Sequence, residues 1–132
     1  MRVVFDENMP AKIVEGMTAF THYYQSKTKV ELTSIHILDQ NSIPDTGVLG
    51  IVGKNGILIS FDKDFKTHKK LKHIIASEKI GIFWVQQPKI KNLFVLATFL
   101  LNNWGAIMDK IDNERRPFIF QVLKKSITKM NL

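Results

Sequence analysis

The sequence predicts an α/β fold, a three-layer α/β/α arrangement around a mainly parallel central sheet, and three observations predict it. Short runs of β-forming residues alternate with stretches whose apolar residues recur at helical spacing. The middle run, Ile57 to Phe61, is nearly unbroken in its apolar character, as expected for a parallel strand covered by helices on both faces. No internal repeat, low-complexity tract or linker rich in Pro, Gly or Ser divides the 132 residues, so one domain is expected over 1–132.

Each element has its own justification. Arg2 to Phe5 is a run of β-formers, and Asn8, Met9 and Pro10 read as a helix start, with proline tolerated in the first turn. Ile13, Val14, Met17 and Phe20 then recur at helical spacing. Lys29 to Ile37 brings Val30, Leu32, Ile35 and Ile37, enough β-branched residues for a second strand. After the polar loop DQNSIPD, Val48, Leu49, Ile51 and Val52 suggest a short helix that Gly53 and Gly56 help to end. Ile57 to Phe61 is strand again, followed by a helix from about Lys66 to Ser77. Ile80 to Val85 makes a further buried strand, and Pro88 to about Asp109 a long helix containing LFVLATFLL. Pro117 to Leu123 reads as a last strand, its proline at the entrance or on an edge where a missing N–H is tolerated.

Composition narrows the function classes. Cysteine is absent, which excludes a disulfide framework, a thiolate zinc site and a cysteine nucleophile, and an intracellular, cytoplasmic setting fits. The opening MRVVFDENMP leaves no room for a signal-peptide core, and LFVLATFLL is far below the ~20 residues that span a bilayer, so no membrane partner is expected. A formal charge of +7 attracts polyanions over a long range, although lysine that only solvates the surface explains the same count. Lys63, Lys66, Lys69, Lys70 and Lys72, with His68 and His73, crowd into one stretch. The four histidines lack helical metal-ligand spacing and are assigned no catalytic role. Trp84, Trp104 and the nine phenylalanines read as core before base-stacking platforms.

Candidate chemistry lies in the acids. In open α/β sheets, sites sit outside the carboxyl ends of the strands where strand order reverses. Asp6 follows VVF and Asp62 follows ILISF, so both reach the same rim. Asp64 stays on that side if the backbone remains extended; a cap on the next helix is the other reading, but a cap does not require Asp62 beside it, and the pair favours the site. Asp45, in the loop before the second helix, serves equally as an ordinary N-cap or a ligand. Like charges ~4 Å apart repel by roughly 4 kcal/mol at an effective dielectric near 20, so such a cluster takes up protons or binds a cation. Carboxylates without thiolates select hard ions, Mg²⁺ or Mn²⁺ in a cell.

VVFDENMP followed much later by ILISFDKDF resembles the PIN-like nucleases, especially the small branch with a DEN motif near the N-terminus and an F-D-K-D-F motif after a middle strand. The resemblance spans about residues 1 to 85. It implies a PIN-like fold and a Mg²⁺- or Mn²⁺-dependent endoribonuclease that hydrolyses RNA phosphodiester bonds. Asp6 then matches the first-strand acid, Asp62 and Asp64 the paired acids, Asp45 the intervening acid and Ser60 a small hydroxyl position. Beside them Glu7 and Asn8 are candidates to orient the metal shell, though solvent exposure and helix capping explain both more simply. Many relatives are VapC-type toxins of toxin–antitoxin pairs, so an RNA substrate, a cognate antitoxin and a homodimer are the partners it suggests. Lys63, Lys66, Lys69 and Lys70 are the candidate RNA contacts; a solvated helix face explains them as well. Two departures stand out. The intervening acid is aspartate where larger PIN domains use glutamate, and residues 86 to 132 carry no matching motif. A catalytically inactive PIN-like domain that binds RNA or protein is therefore the alternative. A phosphoacceptor domain with an acidic Mg²⁺ pocket ranks last, because it needs a lysine after a late strand and IGIFWVQQP offers glutamines.

Overall fold

The computed structural model describes residues 1–24, 28–38, 43–62, 65, 68–86, 92–124 and 126–131. Along the chain lie β1 (Arg2–Phe5), α1 (Ala11–His22), β2 (Glu31–Ser34), α2 (Asp45–Val52), β3 (Ile57–Ser60), α3 (Lys69–Glu78), β4 (Gly81–Val85), α4 (Leu93–Asn113), β5 (Phe118–Val122) and β6 (Ile127–Met130). The strands form one sheet in the order β2-β1-β3-β4-β5-β6. All pairings are parallel except the antiparallel β5–β6 hairpin. Among the described residues, no helix is long and apolar enough to cross a membrane.

Strand side chains alternate between the two faces, and this builds two cores. Val3, Phe5, Ile57, Ile59, Phe83 and Val85 pack on one face against Ile13, Val14 and Met17 of α1 and Leu100, Trp104 and Ile107 of α4. Val4, Leu58, Ile82 and Ile119 pack on the other against Val48, Leu49 and Val52 of α2 and Leu71 and Ile75 of α3. All four residues of β3 are buried, as its apolar run demands. Gly81 lets its neighbours close over the sheet: a Cβ there would lie 2.5 Å from the Phe118 ring and 2.7 Å from Ile57 Cδ1.

Several expectations change in detail. Phe20 continues the α1 periodicity yet is 58% exposed; at that turn Thr21 faces the core instead, its Oγ1 accepting from the Trp104 indole N–H at 2.8 Å. The second strand is shorter than expected; Ile35 to Leu38 turn away once Ser34 Oγ accepts from the Ile37 amide at 2.9 Å. The long helix begins at Leu93, where Asn92 caps it by accepting from the Val95 amide at 2.8 Å. Within LFVLATFLL only Leu100 is fully buried, while Leu93, Phe94 and Leu101 are exposed. Pro117 does stand at a strand entrance, but β5 is an inner strand, because β6 adds an antiparallel strand that the sequence reading missed. The half-exposed pattern of ITKM gave it little apolar signal.

Candidate functional site

The strand order reverses between β1 and β3: the chain steps from β1 outward to β2, then crosses back to β3 on the other side. Parallel register sets Phe5 beside Ile59, so the next residues, Asp6 and Ser60, are neighbours at the carboxyl ends. The Asp6 amide extends the ladder by one bond, donating to Ile59 O at 3.1 Å. Since Phe5 and Ile59 belong to the α1/α4 core, alternation turns Asp6 and Ser60 to the α2/α3 face.

Asp6 is 5% exposed. Its Oδ2 accepts from Ser60 Oγ at 2.5 Å and from the Phe61 amide at 3.1 Å. Oδ1 accepts from the Asn8 amide at 3.1 Å, an Asx turn reinforced by Met9 N–H donating to Asp6 O. Ser60, fully buried, also accepts from the Asp62 amide at 2.9 Å. Burial pushes the Asp6 carboxyl above its usual range, the bonds from Ser60, Phe61 and Asn8 pull it back, and the Asp62 charge pushes it up further. Asp6 and Asp62 therefore sense each other across the reversal point, with Ser60 between them.

Two supports were not read from the sequence. Trp84, beside Ser60 in the β3–β4 register, donates its indole N–H to Phe61 O at 3.2 Å and so holds the strand end that carries Asp62. His36 Nε2 meets Glu7 O and ties together the turns after β1 and β2. Pairing the third and fourth strands on paper would have found Trp84; His36 carried no local signal.

The other candidates divide. Asp45 is the first residue of α2, where a carboxylate interacts favourably with the helix dipole, and Pro44 holds the cap position expected for it. Asn8 is exposed and contributes its amide to Asp6. Lys69 and Lys70 are exposed at the head of α3, on the face to which Asp6 and Ser60 turn. Asp64, Lys63 and Lys66 lie outside the described residues. Lys124, which follows the last parallel strand, lines a groove with Asn102 and Asp109 of α4 on the opposite face, so it is no partner for Asp62 in phosphoacceptor chemistry.

A carboxylate offers about four lone-pair sites, and protein donors take three of those on Asp6. Among the described residues, no fourth donor meets the remaining direction on Oδ1. Among the described residues no three His, Asp or Glu side chains gather as a metal-binding group. The donor set is all oxygen, and Asp6 with the half-buried Asp62 suits a hard divalent ion that keeps several of its waters. No family model, curated protein or solved structure matches this chain, and the geometry of Asp6, Ser60 and Asp62 carries the functional reading.

Proposed function

We propose that this chain is a PIN-like, Mg²⁺- or Mn²⁺-dependent endoribonuclease that hydrolyses RNA phosphodiester bonds. The observation that carries the reading is the hydrogen-bonded run Asp6–Ser60–Asp62 at the point where the strand order reverses. A bound divalent ion supplies an activated water and stabilises a leaving oxygen. Asp6 and Asp62 would hold it. Ser60 fixes both acids at once, since one hydroxyl bonds the Asp6 carboxylate and the Asp62 amide. Lys69 and Lys70 attract the phosphate backbone to the same face. Under this reading a cognate antitoxin would silence the chain by covering the acidic rim.

A catalytically idle PIN-like domain that binds RNA or a protein is the second reading. Its support is that Asp6, with three protein donors, keeps its place without a cation. One experiment separates the two: titrate Mn²⁺ or Mg²⁺ and follow cleavage of structured RNA by wild type and Asp62→Asn. Metal-dependent cleavage that falls about a hundredfold or more in the variant supports the nuclease. RNA binding without cleavage in either protein supports the idle domain.

A further inference from the structure

Between α4 and the β5–β6 hairpin runs a groove of about 660 Å³, on the sheet face opposite the one to which Asp6 turns. Its floor holds an unusual residue. Asn103 is 5% exposed and shares the buried side of α4 with Leu100, Trp104 and Ile107. Asparagine is a poor helix former and its amide is costly to bury, so leucine would serve the fold better at this position. Nδ2 donates to Phe99 O at 2.8 Å, which fixes the amide plane. Oδ1 accepts from no described residue, yet it is not sealed in the core, because the only buried side-chain nitrogen or oxygen without a partner among the described residues is Arg116 Nε. The carbonyl therefore opens onto the groove that Asn103 lines. Asp109, also in the groove, is bonded by Asn113 Nδ2 at 2.9 Å, and Lys110 lies 4.0 Å from Glu114 and over the Phe120 ring, so both are engaged. Among the described residues, the side chains of Asn102, Lys124 and Ser126 have no such partner. A deep acceptor, apolar walls from Ala106 and Ile127, and an exposed cation beside a hydroxyl make up the lining.

We propose that this groove binds a mononucleotide whose base carries an exocyclic amine. The amine donates to Asn103 Oδ1, the base lies between Ala106 and Ile127, and the phosphate takes charge-assisted bonds from Lys124 and Ser126 Oγ. Both ends of the ligand are needed. Phosphate alone leaves the Asn103 carbonyl unmet, an uncharged nucleoside leaves Lys124 unmet, and a base with a carbonyl in place of the amine sets acceptor against acceptor. The volume lies within the roughly 300–1,000 Å³ of small-molecule sites and far exceeds what a lone anion fills. The groove stands apart from the acidic rim, and this site does not depend on the nuclease reading.

Calorimetric titration of the full chain in chelator, with AMP, IMP, adenosine and inorganic phosphate in turn, tests it. One-to-one binding of AMP with a Kd near about 100 μM is expected, with each of the other three about tenfold or more weaker. Asn103→Leu, close in size, removes the acceptor; it should weaken AMP about tenfold and erase the preference for AMP over IMP. Its melting temperature should hold or rise, so the loss cannot be ascribed to unfolding. Lys124→Ala should weaken AMP about tenfold and flatten the dependence on salt. No binding of AMP at about 5 mM, phosphate held as tightly as AMP, or an AMP preference that survives Asn103→Leu would overturn the proposal.

Discussion

Ser60→Ala removes the one hydroxyl that serves both acids, and its consequence can be worked through. The Oγ is buried and donates to the Asp6 carboxylate at 2.5 Å, a charge-assisted bond that contributes about 1.5–3 kcal/mol. The Asp62 amide loses its acceptor as well, but that residue is half-buried and water replaces part of the bond. The expected loss is about 2–3 kcal/mol, which for 132 residues lowers the melting temperature by about 7–11 °C. The loss depends on pH. Ser60 lowers the Asp6 pKa, so its removal raises further a pKa that burial already holds above 3.8. The substitution thus penalises the ionised form: ΔΔG is smaller where Asp6 is protonated, grows as pH rises from the wild-type folded pKa to the higher one of the variant, and is full above that. Urea unfolding in chelator, followed by circular dichroism at about pH 3, below the usual carboxylate value of 3.8, and at about pH 8, measures both quantities. A loss under about 1 kcal/mol, or the same loss at both pH values, would refute the bridging role assigned to this hydroxyl.

Two further substitutions test the same structure. Asp6→Asn removes a buried carboxylate whose raised pKa makes its contribution present below about 3.8 and lost as pH rises through the folded value; in metal-free buffer the variant should gain on wild type toward neutral pH, and parallel stability curves would exclude that. Gly81→Ala drives a methyl group into the Phe118 ring and Ile57, both buried, and should lower stability by about 1–3 kcal/mol in urea titration; an unchanged midpoint would exclude the clash.

Much of this fold is legible in the sequence because its parallel strands are short apolar runs separated by helical periodicity. Arg2–Phe5 matches to the residue, and Ile57 to Phe61 and Ile80 to Val85 match to within one residue. The reading failed where burial is partial. β6 escaped because only half its pattern is apolar, and Phe20, at helical spacing with Met17, is exposed because Thr21 takes the core-facing position of that turn. The acids at the rim followed from their place just behind apolar strands. Their connection did not: that Asp6 and Ser60 face each other depends on the β1–β3 register, a relation between residues 54 positions apart. Trp84 and His36 belong to the same category, since each acts through a backbone carbonyl on another element.

The antiparallel hairpin at the sheet's far side has a protective consequence. β5 reads FIFQV, with four of its five residues buried, a segment well suited to recruit further strands if its outer row of amides and carbonyls were bare. β6 occupies that row and turns Thr128 and Lys129 to solvent, with Lys129 Nζ 3.5 Å from Glu114 Oε2. A strand only half apolar thus acts as a gatekeeper, and losing it would convert an interior strand into a template for fibre growth.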